Sequence, residues 1–171
     1  MQDHIVYLAN SSGLKVGITR ATQVPTRWID QGATQALPII RVRNRFQSGM
    51  LEVLFKQYVS DKTNWRDMLK GVATPLDLNL KATEILNKFS SEVDEIKERY
   101  NPFGVSILNG IEMVDISYPV TRYPDKITSY NFDKEPIIED KLLGIKGQYL
   151  IFEGGVINLR KFSGYEVELH H

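Results

Sequence analysis

Residues 4–19 read HIVYLANSSGLKVGIT, and this stretch indicates how the N-terminal third of the chain folds. Ile5 to Ala9 is rich in β-branched and aromatic residues, a composition typical of a strand. Asn10 to Gly13 is a cluster of turn-forming residues, and Leu14 to Thr19 has the composition of a second strand. Two strands joined by so short a loop predict a β-hairpin. Gly17 within the second strand indicates a bulge or a close approach of another group to the backbone.

A short helix, a third strand and a second helix are predicted after the hairpin. Pro25 suits the first turn of a helix, which predicts a short helix over Thr26 to Gln31. Leu37 to Phe46 is predicted to be the third strand, because apolar and basic residues alternate along it. Ser48 is predicted to cap a helix over Met50 to Val59, which carries apolar residues at helical spacing.

The remainder of the chain is predicted to be one long helix followed by short strands. Amphipathic spacing predicts a single helix from Leu78 to Tyr100. Beyond Ile111, short apolar segments alternate with turn residues, which favours a small antiparallel barrel or curled sheet. The predicted strands are Met113 to Tyr118, Ile127 to Phe132, Ile137 to Gly144, Gln148 to Phe152, Val156 to Arg160 and Tyr165 to Leu169.

These patterns predict an α+β chain in three parts. Residues 1–72 are expected to form a domain with a three-stranded antiparallel sheet and flanking helices. Residues 73–104 are a connector and the long helix, and residues 105–169 form a small, antiparallel, barrel-like β-rich domain. Residues 170–171 are two histidines, which we interpret as the remnant of a purification tag.

Composition excludes several classes of site. The chain has 171 residues, no cysteine and three histidines, so disulfides and thiolate metal sites are excluded and a histidine-based zinc site is not expected. No apolar run approaches the ~18 residues that span a bilayer, and the N-terminus lacks the pattern of a signal peptide. We therefore expect a cytoplasmic protein with no membrane contact.

Charge is divided unevenly along the chain, although the net charge is zero. Residues 1–70 contain ten lysines and arginines against five acidic residues, a net charge of +5. Residues 71–171 contain eleven against sixteen, a net charge of −5. A basic N-terminal part favours a phosphate-bearing partner such as nucleic acid.

The order of motifs in roughly residues 4–70 resembles the GIY-YIG nuclease fold. In that pattern a strand with a tyrosine and a second strand with a glycine precede a helix with an arginine and a later helix with a glutamate. Ile5-Val6-Tyr7 stands at the first tripeptide and Lys15-Val16-Gly17 at the second, and Arg27 and Glu52 follow on the two helices. The first tripeptide lacks its glycine. The second has lysine in place of tyrosine, as some restriction-type members of the superfamily do.

The whole chain is similar to a bacterial family described as domain of unknown function 2797. Three segments carry this resemblance: Val6-Tyr-Leu-Ala-Asn10, Arg27-Trp-Ile-Asp-Gln-Gly-Ala33 and Leu143-Gly-Ile-Lys-Gly-Gln-Tyr149. The family brings with it no established activity.

The GIY-YIG resemblance implies cleavage of phosphodiester bonds in DNA or RNA with a divalent metal ion, with Tyr7, Lys15, Arg27 and Glu52 as catalytic residues. Glu52 offers a hard oxygen ligand for Mg²⁺ or Mn²⁺. Arg27 can form a forked pair of hydrogen bonds with a phosphate. Tyr7 can accept a proton from the attacking water if the nearby Lys15 lowers its pKa from the reference value of about 10.

Basic residues near these positions are candidates for nucleic-acid binding. Arg41, Arg43 and Arg45 alternate, so they are expected on one face of the third strand, where they would follow a phosphate backbone. Arg20, which follows the hairpin's second strand, and Gln31, on the short helix, complete the predicted nucleic-acid surface.

Two other functions stay open beside the nuclease. The same fold can serve as a catalytically inactive nucleic-acid-binding module, and the acidic half can offer a surface for protein interaction. The C-terminal strands mix basic and aromatic residues, a combination found where single-stranded nucleic acid binds: Lys146, Tyr149, Arg160, Lys161 and Tyr165. Trp28 and Trp65 are interpreted as core or helix-packing residues.

Overall fold

The computed structural model describes residues 2–59, 64–100 and 104–170, so half of the expected tag remnant, His171, lies outside it. These residues form an α+β structure with two antiparallel sheets, which confirms the predicted class. The strands are β1 His4–Asn10, β2 Leu14–Arg20, β3 Gln35–Val42, β4 Val105–Ile107, β5 Val114–Asp115, β6 Leu142–Lys146, β7 Tyr149–Phe152 and β8 Val156–Asn158. The helices are α1 Thr26–Asp30, α2 Arg45–Phe55, α3 Trp65–Leu69, α4 Leu78–Lys88 and α5 Ser90–Arg99.

The predicted hairpin is present. β1 and β2 pair antiparallel along their full length, from His4 opposite Arg20 to Asn10 opposite Leu14. Gly13 in the connecting loop has a φ of 139°, a conformation that favours glycine. Every residue of β1 is buried, because β1 has a neighbouring strand on each side and a hydrophobic core against each face.

The first sheet has the strand order β2-β1-β3-β4, with β5 also paired to β3. β2 is therefore an edge strand on one side of the sheet. β4 and β5 come from the part of the chain beyond residue 104, yet they pair with β3, so the first sheet draws strands from both halves of the chain. The division into three parts stays a prediction.

The two faces of β1 belong to two different cores. Val6 and Leu8 face the larger core, which α2, α4 and α5 cover. Ile5, Tyr7 and Ala9 face the opposite side, where Trp28 of α1 packs against them. This separation follows from the alternation of side chains along a strand. The face of β1 that carries Tyr7 is therefore covered by the short helix α1.

The third strand ends earlier than predicted, and α2 begins earlier. The side chain of Asn44 caps α2 by accepting a hydrogen bond of 2.9 Å from the backbone nitrogen of Gln47. Ser48, the predicted cap, lies inside the helix, and its hydroxyl donates to the carbonyl of Arg45. Arg45 is thus helical and Arg43 lies in the connection, so the expected face of three arginines on one strand is not formed.

The predicted long helix is two helices, α4 and α5. At Phe89 the backbone has φ −110° and ψ 23°, outside the helical range. The Phe89 side chain is buried, with its ring 5.9 Å from the ring of Phe55. The break therefore coincides with a phenylalanine anchored in the core, and the residues on either side, Ile85 and Val93, both stay buried.

The expected barrel is not formed. β6, β7 and β8 make an open sheet of three strands, with the predicted turn Glu153 to Gly155 between the last two. The segment Ile127 to Phe132 contributes an isolated bridge at Ser129, and Tyr165 to Leu169 is not a strand. Prolines at positions 119, 124 and 136 remove backbone donors from the region that precedes β6, which disfavours further strand pairing there. Within the described ranges, no helix is long and apolar enough to cross a membrane.

The packing of α2 on the sheet predicts a large stability effect at Leu51, which is fully buried in the larger core. We expect Leu51→Ala to lower the free energy of unfolding by about 2–5 kcal/mol, because it removes buried methyl groups and leaves a cavity. Val53→Ala on the same helix is the matched control. Val53 is 65% exposed, so its substitution should change stability by no more than about 0.5 kcal/mol. Urea denaturation measures both, and equal stabilities would contradict this packing.

Candidate active site

The candidate site begins where the Tyr7 side chain crosses the edge strand β2. Tyr7 lies opposite Gly17 in the hairpin. A Cβ atom at position 17 would lie 2.6 Å from the Tyr7 hydroxyl oxygen, so the phenol occupies the space that any other residue's side chain would need. The Tyr7 ring is fully buried and makes an edge contact with Trp28, with ring centroids 5.9 Å apart. The close approach of this ring accounts for glycine within β2.

Helix α1 brings two polar side chains to the Tyr7 hydroxyl. Gln31, directly after the helix, donates a hydrogen bond of 2.6 Å from its amide nitrogen to the hydroxyl oxygen. Arg27 lies four residues earlier, on the same side of the helical turn, and contributes positive charge and hydrogen bonding to the phenol. A buried hydroxyl is thereby satisfied by the helix that covers it.

Burial raises the pKa of Tyr7 above its usual value. The hydrogen bond from Gln31 and the charge and hydrogen bonding of Arg27 act in the opposite direction, and the negative charge of Glu52 raises the pKa further. The loss of hydration of the phenolate is the largest of these effects, so the pKa of Tyr7 is raised. The expectation of a lowered Tyr7 pKa is therefore wrong, and the phenol is protonated at neutral pH.

Lys15 is buried on the same face of β2 as Gly17, and it is 6% exposed. Burial and, to a smaller extent, the neighbouring positive charge of Arg27 together lower the pKa of its amine to about 8. Both effects disfavour the ammonium form. Roughly a tenth of such an amine is uncharged at pH 7, a far larger share than for an exposed lysine.

A cleft of about 360 Å³ lies between α1, α3 and the C-terminal sheet. It is lined by Lys15, Arg27, Asp30 and Gln31 from the N-terminal part of the chain, by Trp65 of α3, and by Tyr149 and Arg160 from the C-terminal part. The cleft therefore joins three cationic groups and one carboxylate to a pair of aromatic rings. Residues from both halves of the chain are needed to enclose it.

Glu52 does not line this cleft. It lies on α2, where its carboxylate is 3.6 Å from the amine of Lys56. It faces a separate groove of about 1420 Å³ between α2 and α5, which Arg45 and Glu95 also line. The charge of Glu52 nevertheless reaches Tyr7, because it raises the pKa of that phenol. This effect is the smallest of those that act on the pKa of Tyr7.

The residues predicted to bind nucleic acid are dispersed. Arg20 is exposed at the end of β2, Arg41 is exposed on β3, and Arg43 is exposed between β3 and α2. Arg45 lines the groove that contains Glu52. Gln31 lies in the cleft. The structure does not bring the four arginines together, and their contact with nucleic acid stays a prediction.

The predicted metal site depends on one carboxylate, that of Glu52. Among the described residues, no three histidine, cysteine, aspartate or glutamate side chains are grouped so that they could hold a metal ion. Mg²⁺ often keeps several waters and is held by one or two carboxylates together with substrate phosphates. The Glu52 carboxylate is partly open to solvent, with 22% of its side chain exposed, and so fits that mode of binding.

Seven residues that line the cleft are not among the predicted site residues: Asp30, Trp65, Met68, Gln148, Tyr149, Asn158 and Arg160. The sequence predicts a packing role for Trp65, and it indicates only a mixture of basic and aromatic groups at Tyr149 and Arg160. The position of the C-terminal sheet brings Tyr149 to the cleft, and Tyr118 helps to fix that position by donating a hydrogen bond of 2.9 Å to the Ala33 carbonyl. The sequence carries no local signal for a contact between residues so far apart.

A family model described as "Protein of unknown function (DUF2797)" matches residues 1–167. The chain belongs to this family. The match confirms the resemblance noted across the whole sequence. It covers both sheets and every residue of the cleft named above, so the DUF2797 family is defined over the complete site. No curated protein and no solved structure matches the chain significantly.

The buried amine of Lys15 predicts a pH-dependent stability for this DUF2797 protein. Its folded pKa of about 8 lies below the value of about 10.4 for an unfolded chain, so the unfolded state binds more protons between these values. The stability of the native protein should therefore rise with pH through that window, relative to Lys15→Met. We expect the difference in unfolding free energy between the two proteins to change by up to about 3 kcal/mol.

Urea denaturation between about pH 7 and pH 10 measures this difference. Lys70→Met is the matched control, because the Lys70 side chain is 47% exposed and its removal should give a curve parallel to that of the native protein. A Lys15→Met curve that is also parallel would show that Lys15 titrates normally.

Proposed function

We propose that this DUF2797 protein is a GIY-YIG-like nuclease that hydrolyses phosphodiester bonds in DNA or RNA with a divalent metal ion. The observation that carries the proposal is the convergence of Lys15, Arg27 and Gln31 at one cleft, where Gln31 also donates a hydrogen bond to the buried hydroxyl of Tyr7. The order of elements supports it, because hairpin, arginine-bearing helix, third strand and glutamate-bearing helix follow one another as in that fold.

The phosphate is bound by the cationic side of the cleft. Arg27 presents a planar guanidinium that pairs with two phosphate oxygens, and Arg160 lines the same cleft. Lys15 supplies a third positive group when it is protonated. Because the cleft is partly shielded from water, these charges attract a phosphate more strongly than they would on an open surface.

Lys15 is the residue best matched to accept the proton of the attacking water. Its pKa of about 8 is close to working pH, which is where a general base is most effective. The uncharged amine takes the proton as the water oxygen bonds to phosphorus, and the leaving oxygen departs and is protonated from solvent. Tyr7 keeps its proton, and since its oxygen already accepts from Gln31, its hydroxyl hydrogen can be donated to a phosphate oxygen.

Glu52 is the residue that would hold Mg²⁺ or Mn²⁺, together with waters and an oxygen of the substrate phosphate. The bound ion supplies Lewis-acid stabilisation of the negative charge on the leaving oxygen. For this ion to serve the reaction, the substrate must reach both the cleft and the groove that contains Glu52.

A catalytically inactive nucleic-acid-binding module is the second candidate. Two observations favour it: Glu52 lies outside the cleft, and its carboxylate is paired with Lys56. In this case Lys15 and Arg27 bind phosphate, and no hydrolysis follows.

A cleavage assay tests the proposal. The protein is incubated with single-stranded and duplex DNA and RNA in the presence of Mg²⁺ or Mn²⁺. We expect Arg27→Ala to reduce the cleavage rate by roughly 10²–10³-fold, since it removes a charge that stabilises the transition state. Glu52→Gln should abolish metal-dependent cleavage. Glu95→Gln is the matched control, because Glu95 is exposed in the same groove and should be dispensable.

The outcomes separate the two candidates. Cleavage that persists in Glu52→Gln at the native rate would exclude the proposed site. If no substrate is cleaved but nucleic acid is bound, and binding is lost in Arg27→Ala, the inactive module is the correct description.

The role of Lys15 as the base predicts the pH dependence of cleavage. We expect kcat/KM to rise with pH and to level off above about pH 8, because the uncharged amine is the active form. Lys15→Arg should lose both the rise and most of the activity, since arginine stays protonated. Tyr7→Phe should be slower but keep the same profile. A profile that is unchanged in Lys15→Arg would assign the base to another group.

A further inference from the structure

The cleft has two chemically different sides. Lys15 and Arg27 form a cationic side that matches a phosphate, whereas Trp65 and Tyr149 form an aromatic side that a phosphate does not need. The aromatic side therefore indicates that the ligand has a second, flat part besides the phosphate. Flat, unpaired nucleobases are the part of a nucleic acid that stacks on such rings.

The aromatic side is held rigidly. The rings of Trp65 and Tyr149 are stacked, with centroids 5.6 Å apart and an angle of 5° between their planes. The guanidinium of Arg66 lies over the Trp65 ring at 4.4 Å from its centroid. Both rings also pack against the small core beneath the C-terminal sheet. A rigid aromatic surface loses little conformational entropy when a base stacks on it.

The turn between β6 and β7 sets the position of this surface. Gly147 in that turn has a φ of 60°, and a Cβ atom there would lie 3.0 Å from the Asp30 carbonyl oxygen. The turn thus packs directly on the end of α1, two residues before Tyr149. The C-terminal sheet is placed so that its aromatic ring faces the cationic groups carried by α1 and β2.

Amide side chains complete the cleft. Gln148 and Asn158 both line it, and an amide group offers a donor and an acceptor to the edge of a base. The volume of about 360 Å³ is at the small end of ligand sites, enough for one nucleotide. In a duplex the faces of each base are covered by its neighbours, so a base reaches an aromatic wall only when it is unstacked.

We propose that this cleft binds one unpaired nucleotide, with its base on the Tyr149 ring, which Trp65 supports by stacking, and its phosphate at Lys15 and Arg27. The substrate class is accordingly a single-stranded segment of nucleic acid. The assignment of the phosphate side rests on the proposed function, whereas the aromatic side is an independent feature of the structure.

Fluorescence anisotropy tests the preference for single strands. A fluorescein-labelled strand of about 12 nucleotides, alone or as a duplex, is titrated with the full chain in EDTA, so that no cleavage occurs. We expect binding of the single strand to be at least about tenfold tighter than that of the duplex, and Tyr149→Ala to weaken it roughly tenfold. Tyr58→Ala is the matched control, because Tyr58 is 39% exposed, lines neither the cleft nor the groove that contains Glu52, and should leave affinity unchanged. Equal affinity for the two forms, or native affinity in a folded Tyr149→Ala, would overturn the proposal.

Intrinsic fluorescence provides a second test that needs no alanine variant. The chain has two tryptophans, and Trp28 is 2% exposed. Addition of an unlabelled single strand should therefore quench Trp65, and Trp65→Phe, which keeps an aromatic ring, should lose the quench but retain binding. A native protein that binds the strand with no change in fluorescence would contradict stacking at this site.

Comparison with the cleavage assay separates this proposal from the nuclease. Single-strand binding through Trp65 and Tyr149 without hydrolysis would support the nucleotide cleft and overturn the nuclease. Metal-dependent cleavage of duplex that is unaffected by Tyr149→Ala would support the nuclease and overturn the nucleotide cleft.

Discussion

The contact of the Tyr7 ring with the backbone of Gly17 is the constraint on which the site depends. The ring places the Tyr7 hydroxyl against β2 in the interior of the protein, and a buried hydroxyl without a hydrogen-bond partner is costly. Gln31 meets that need with a hydrogen bond of 2.6 Å, which requires α1 to lie on this face of the sheet. The position of Arg27 follows from the position of α1. The hairpin thereby determines where the cationic groups meet.

Two lysines, Lys15 and Lys146, are buried, and their surroundings differ. Lys146 donates a hydrogen bond of 2.7 Å to the Gly71 carbonyl and lies over the rings of Tyr118 and Tyr123, which is an arrangement that stabilises an ammonium group. Lys15 instead lies near the like charge of Arg27, although burial lowers the pKa of both amines to about 8. Cations held together at a cleft favour an anionic ligand, because it removes their repulsion. Lys146 is therefore held inside the fold, whereas Lys15 lines the cleft.

Local patterns in the sequence were enough to predict the hairpin, α1 and the α+β class. They did not predict the structure correctly where two local signals competed, or where contacts between distant residues determine the secondary structure. Asn44 and Ser48 are both good helix caps, and the hydrogen bond to Gln47 selects the first. The break at Phe89 depends on a ring packed against a distant helix, and β4 and β5 join β3 through contacts more than sixty residues apart. The position of Trp65 in the cleft has the same long-range origin.

The separation of Glu52 from the cleft constrains the path of any substrate. If the proposed function is correct, the strand enters between Arg27 and the aromatic pair, and the next phosphate passes Tyr7 toward α2. Under the proposed function, one substrate must therefore reach both the cleft and the separate groove that contains Glu52. A single strand can do this more easily than a stiff duplex, because the cleft has room for about one nucleotide.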